Sequence, residues 1–276
     1  MRFWAREKSS MSSSRKVVEL FYDVVSPYSW LAFEVLCRYR NVWNIELKFK
    51  PAYLAGVMHG SGNRPPGMVP NKFHYMTTDL KRLSNYFGVH LSPPSNAFEA
   101  MFEKGTLNAM RFVTAVAEKE KEGDMLVERV SRELWKRIWS TDQDITQPAS
   151  LTEAGLKAGL SANVVKEILS LSKSQPIKDK LKSVTQEALE YKVSAFNLHL
   201  CTLCLAHQKI FVVEKYNKMS LHIFPPFLQC FGFPFIVCQV NGKAKVFFGS
   251  DRFELMAYFM GEKWMGPHPN KPTAHM

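Results

Sequence analysis

The spacing of apolar and polar residues changes several times along the chain, and each change marks an element. Val17 to Tyr22 is β-branched or aromatic at most positions and predicts a buried strand. Asp23 to Pro27 interrupts it. From Tyr28 to Arg40 the period becomes helical, with Trp30, Phe33, Val35 and Leu36 recurring on one side. Pro27 stands at the entry, where its missing N–H costs nothing. Within Trp43 to Pro51, Ile45, Leu47 and Phe49 alternate with polar residues and predict a second strand. Strand, helix, strand in this order implies a parallel pair joined by a right-handed crossover.

Tyr53 to Pro70 is rich in Gly and Pro and reads as a long loop. Lys72 to Lys192 is helical almost throughout. Leu107 to Val116 and Leu126 to Trp139 place apolar residues three and four apart, and roughly five or six helices fit the stretch. Asp142-Gln143-Asp144, Gln147-Pro148 and Gln175-Pro176 mark turns. Near the end, Phe235 to Val240 and Ala244 to Phe248 predict strands around Asn241-Gly242, a hairpin-turn pair. Gly249 then breaks the pattern, Ser250 reads as an N-cap, and Asp251 to Met260 reads as a helix.

The order βαβ, helices, ββα predicts an α/β protein: a thioredoxin-like fold interrupted by an all-helical insertion domain. The expected organisation is an N-terminal extension over 1–16, expected to be disordered, and the first half of the thioredoxin-like domain over 17–60. A loop and helical domain follow over 61–192, then an atypical block over 193–229. The second half of the thioredoxin-like domain covers 230–267, and 268–276 is a tail.

The net charge of +11 over 276 residues invites a nucleic-acid reading. The basic residues are interleaved with acids, as in Glu118-Lys119-Glu120-Lys121-Glu122, and no basic arm or zinc-finger spacing accompanies them. A solvated basic surface, mildly attractive to an anionic small substrate, is the expectation, with no nucleic-acid partner. No apolar run reaches the roughly 20 residues that span a bilayer. Five cysteines, an odd number, argue against a disulfide framework and for a reducing compartment. Met1 to Lys16 is basic and Ser-rich without the apolar core of a secretory signal, which leaves room for a mitochondrial presequence. Ala274-His275-Met276 loosely follows the small-basic-aliphatic pattern of peroxisomal tails.

In a thioredoxin-like fold the reactive group lies between the first strand and the first helix. Here Ser26-Pro27-Tyr28-Ser29 occupies the place of Cys-x-x-Cys. Without its own thiols the site cannot run dithiol exchange, but it can serve a thiol brought by a ligand. A helix N-terminus favours a thiolate, and a hydroxyl that donates to the sulfur lowers its pKa further. Ser250 and Asp251 offer backbone N–H groups and a carboxylate, which suit the α-carboxylate and ammonium of a γ-glutamyl group. Phe233-Pro234, just before a strand, is a candidate cis peptide that would expose the Phe233 backbone for strand-like pairing. Each residue also has a plain structural reading. Ser26 and Ser250 are ordinary caps in most proteins, Asn63 can simply shape a turn, and Trp30 and Phe33 read as core.

The sequence from Val18 to Trp30 resembles the opening of kappa-class glutathione transferases. So do 61–67, 105–112, 248–252 and 261–267. The resemblance covers Val17 to Lys192 and Cys230 to about Pro267. It implies that Ser26 activates the thiol of glutathione, and that Pro27, Tyr28, Asn63, Phe233, Pro234, Ser250 and Asp251 line the glutathione site. It also implies glutathione as co-substrate with no further cofactor or metal, an electrophile or peroxide as second substrate, a homodimer, and residence in the mitochondrial matrix or peroxisome. Bacterial 2-hydroxychromene-2-carboxylate isomerases share fold and motif, so a glutathione-dependent cis–trans isomerase is an alternative.

Val193 to Gln229, about 37 residues, breaks the resemblance and exceeds ordinary loop insertions. Joining Tyr191-Lys192 to Cys230 restores the family pattern. Lys192-Val193-Ser194 can be encoded as a splice donor and Phe224 to Gln229 as a pyrimidine-rich acceptor, so the block is expected to be a retained intron read in frame. Cys201-Thr202-Leu203-Cys204 with His207 then becomes a chance imitation of a redox or zinc motif, and no metal is expected. A non-catalytic binding protein, disabled by the block beside Phe233-Pro234, is the third reading.

Overall fold

A computed structural model describes residues 15–120, 125–191 and 230–270. The 193–229 block, Cys201, Cys204, His207 and the two chain ends lie outside the described residues.

Four strands form one sheet in the order β2-β1-β3-β4. β1 (Lys16–Tyr22) pairs in parallel with β2 (Ile45–Pro51), with Val18 opposite Leu47 and Leu20 opposite Phe49. β1 runs antiparallel to β3 (Phe235–Val240), and β3 to β4 (Lys243–Phe248). Asn241 and Gly242 both take positive φ, 50° and 71°, between β3 and β4, the two-residue hairpin turn that this residue pair favours. α1 (Pro27–Tyr39) crosses between β1 and β2 and buries Trp30, Leu31, Phe33, Val35 and Leu36.

The stretch 53–70 is not a simple loop. α2 (Leu54–Ser61) and a 3₁₀ turn (Pro66–Met68) occupy most of it. Gly62 (φ 69°) ends α2, but Gly56 and Gly60 act as contact points rather than breakers. A Cβ at Gly60 would lie 2.7 Å from Leu189 Cδ1, and one at Gly56 would lie 3.1 Å from Thr185 Cγ2. Both partners belong to α8 (Gln175–Leu189), so small residues let the two helices approach closely.

Between α2 and α8 run α3 (Pro70–Phe87), a π turn (Glu99–Glu103), α4 (Leu107–Lys119), α5 (Met125–Ser140), α6 (Pro148–Lys157) and α7 (Ala162–Leu171). The helices share one apolar core with the sheet. Tyr22 of β1, Phe33 of α1 and Trp135 of α5 pack together, with centroids 5.2 Å (Tyr22 to Trp135) and 4.9 Å (Phe33 to Trp135) apart. A smaller cluster on the other sheet face joins Phe21, Phe233, Phe235 and Cys230 to Leu189 and Tyr191.

The last helix, α9 (Phe253–Met260), begins two residues later than its sequence suggests. Ser250 does not cap it: Arg252 holds the cap position, and no side chain bonds there. The reason is the tight turn that starts at Gly249 (φ 101°), which keeps Ser250 and Asp251 outside the helix. No helix among the described residues is long and apolar enough to cross a membrane.

Candidate active site

A four-residue turn, Asp23 to Ser26, leads from the end of β1 into α1. Ser26 is the cap residue in extended geometry (φ −85°, ψ 112°), and its Oγ accepts the Ser29 N–H at 3.1 Å. Pro27 follows at the first helical position, which fixes the entry angle. The Ser26 hydroxyl donates to the Phe233 carbonyl at 3.4 Å, a long bond that a better acceptor could displace. Ser29, in the place of a second cysteine, is fully buried, and its Oγ has no hydrogen-bond partner.

The peptide between Phe233 and Pro234 is cis. Phe233 and Pro234 are buried beside Ser26, and the Pro234 carbonyl accepts the Gly249 N–H at 3.1 Å. Ser26, Phe233, Pro234 and the turn carrying Ser250 and Asp251 are thereby linked in one chain of contacts. Ser250 is buried; Asp251 is exposed, and its carboxylate lies 3.3 Å from the Arg252 guanidinium. On the other side, Asn63 Nδ2 donates to the Phe231 carbonyl at 2.7 Å, which ties the segment after α2 to the strand-entry loop. The Phe231 and Phe248 rings, both exposed, pack 4.3 Å apart there.

Tyr28 is half-buried and donates its phenol proton to Asp79 of α3 at 3.4 Å. Burial, reinforced by the Asp79 charge, pushes the phenol well above its usual range, so Tyr28 stays protonated and directs its proton to Asp79. Cys230 is also near the loop, yet burial pushes its thiol up to about 12 and it donates to the Gly232 carbonyl at 3.1 Å. The Ser26 hydroxyl, by contrast, stands at the strand–helix junction with only a long bond to the Phe233 carbonyl. Among the described residues no group of three or more His, Cys, Asp or Glu is arranged to hold a metal ion.

Trp30 and Phe33 are buried core residues, as their spacing suggests. The sequence did not single out Asp23, Thr106, Met110, Trp135 or Trp139 as site residues, although all five meet the turn before Ser26. Asp23 reads only as a strand breaker, and the two tryptophans read as core positions four apart on α5. Their indole N–H groups were the available signal, because a buried indole needs an acceptor.

This arrangement is that of a thioredoxin-fold protein whose helix entry carries a hydroxyl in place of a thiol. Residues 17–194 match the DSBA-like thioredoxin domain family. The chain is 42% identical over 266 residues to glutathione S-transferase kappa 1 of Rattus norvegicus, spanning 96% of this chain and all of the relative. Against the Homo sapiens protein of the same name, identity is 40%, spanning 95% of this chain and 98% of the relative. The chain therefore belongs to the kappa class of glutathione S-transferases. In fold it is similar to a solved 2-hydroxychromene-2-carboxylate isomerase (TM-score 0.59, 18% identity, 89% of this chain and 94% of that one). It is likewise similar to a putative protein disulfide isomerase from Nitrosomonas europaea (TM-score 0.56, 15% identity, 90% and 100%).

Proposed function

We propose that this chain binds glutathione along the Phe233-Pro234 loop and ionises its thiol at the α1 N-terminus, where Ser26 donates a hydrogen bond to the sulfur. The observation that carries the reading is the double engagement of Ser26 Oγ, which accepts the Ser29 N–H at 3.1 Å and donates only weakly to Phe233. A bound cysteinyl residue would pair with the Phe233 backbone and leave the hydroxyl proton free to turn to the sulfur. The Ser29 N–H stays on the oxygen and polarises it, so the hydroxyl becomes a better donor. The partial positive charge of the helix end adds to the same effect. Asp251 would hold the γ-glutamyl ammonium, the Ser250 N–H its carboxylate, and Asn63 the strand-entry loop.

The thiolate then attacks an electrophilic carbon, as in an activated aryl halide, forming the carbon–sulfur bond as halide leaves. Hydroperoxide reduction is the second reaction of the same nucleophile, and detoxification the resulting role. Glutathione acts as co-substrate, with no further cofactor. We place the protein, as a homodimer, in the mitochondrial matrix or the peroxisome.

Ser26→Ala tests the reading. Glutathione affinity is expected to stay near normal while conjugation slows about 10- to 100-fold, the worth of one hydrogen bond to a charged sulfur. Ultraviolet absorbance of the bound thiolate should titrate at higher pH in the variant. Equal rates in the two proteins would remove Ser26 from the mechanism.

A further inference from the structure

The turn that carries Ser26 is held by its own short-range bonds and by residues far away in sequence. The Val24 N–H points to Met110 Sδ at 3.5 Å. The Val25 carbonyl accepts from Trp139 Nε1 at 3.2 Å, and the Ser26 carbonyl from Trp135 Nε1 at 3.1 Å. At the hub sits Asp23, fully buried. Its Oδ1 accepts the Val25 N–H at 3.0 Å; its Oδ2 accepts the Leu54 N–H at 2.9 Å and the Thr106 hydroxyl at 3.0 Å. Its carbonyl accepts the Ser26 N–H at 3.0 Å. One side chain thus joins the turn to the first residues of α2 and to the residue before α4.

We propose that Asp23 is the positioning residue for Ser26, its carboxylate clamping the turn to α2 and α4 so that the hydroxyl is held in line with a bound thiolate. This rests on the role given to Ser26 above. Protonation loosens the clamp: a proton on Oδ2 weakens it as acceptor for the Leu54 N–H, and Thr106 would have to reverse its own hydroxyl to accept that proton. Burial brings that event within reach, since it pushes the carboxyl up to about 6 in spite of its three donors. The ionisable groups around it are Tyr53 at the entry of α2, which senses the charges of both Asp23 and Arg111 of α4, and Tyr22 of β1, whose phenol is bonded to Ser131. α5 contributes its two neutral indoles. Arg111 Nε is buried and without a hydrogen-bond partner, so its charge is not spent on a fixed ion pair at that atom.

The indoles report on the clamp without glutathione. In ¹⁵N-labelled full-length protein, the Trp135 and Trp139 side-chain resonances, assigned with Trp→Phe variants, are expected to titrate together near pH 6. Asp23→Asn should abolish the titration. Thr106→Val keeps the side-chain shape but removes a donor to the charged form, and should move the midpoint up by roughly 1 pH unit. It carries the test if Asp23→Asn does not fold. In turnover, Asp23→Asn should lower kcat about 10- to 100-fold with the glutathione KM changed less than about threefold, because misplacement of a reacting group costs rate rather than affinity. The inference fails if neither indole titrates, if Thr106→Val leaves the midpoint in place, or if KM rises while kcat holds. Ser26→Ala should keep the indole titration. A fully active Ser26→Ala protein with that titration intact would refute the role of Ser26 and leave the clamp standing.

Discussion

Asp23 also makes a thermodynamic prediction, independent of catalysis. It is the one aspartate or glutamate among the described residues that is buried outright, and its carboxyl is raised from 3.8 to about 6. The folded chain therefore holds this proton more tightly than the unfolded chain does. The sign follows: Asp23 adds stability that is complete below the unfolded pKa and is lost as pH rises through the folded one. Two pH units and a little more, at about 1.36 kcal/mol each, come to roughly 3 kcal/mol. Asp23→Asn removes this term, whatever it does to the hydrogen bonds themselves. The stability of the variant relative to the parent should thus rise by about 2 kcal/mol between pH 4 and pH 7, the rest of the term lying below pH 4. Glu128 and Asp144 are depressed by their partners and slope the opposite way, but both proteins share them and they cancel in the difference. Urea unfolding of both proteins at several pH values across that range measures it. A difference that stays constant with pH would refute the raised carboxyl.

Two further outcomes follow from packing. In Gly155→Ala the new methyl would lie 2.8 Å from Val165 Cγ2 and 3.3 Å from Phe112 Cζ, so the seat of α6 on α7 and α4 is overfilled. A stability loss of about 1 to 3 kcal/mol is expected in calorimetry, and an unchanged Tm would show that the seat yields. Removing residues 193–229 should leave a folded chain retained on immobilised glutathione, because Tyr191 and Cys230, at its two flanks, pack into the same apolar cluster. A variant that unfolds, or that no longer binds the resin, would contradict this.

Much of the fold was legible locally. The alternation in β2, the helical period of α1 behind Pro27, and the Asn241-Gly242 turn each carry their signal within a few residues, where side-chain direction repeats with the backbone. The thioredoxin-like order and Ser26 at the first strand–helix junction followed from those signals together. Two local readings failed for the same reason. Gly56 and Gly60 look like breakers, but they are the points where α2 meets α8. Ser250 looks like a cap, but the turn begun at Gly249, itself bonded to Pro234, carries it away from the helix. In both places a tertiary contact outweighed the local preference.

What the tertiary structure alone decided is the setting of the hydroxyl. Ser26 meets Phe233 across 207 positions, Asp23 meets Thr106 across 83, and the two indoles reach the turn from 109 and 114 positions away. No local period encodes such partners, because they are chosen by which faces the core brings together. The chain's own sequence determined that a hydroxyl stands at the mouth of a helix. The packing of α2 and α4 on one buried carboxylate, and of the α5 indoles on the turn's carbonyls, decided where that hydroxyl points.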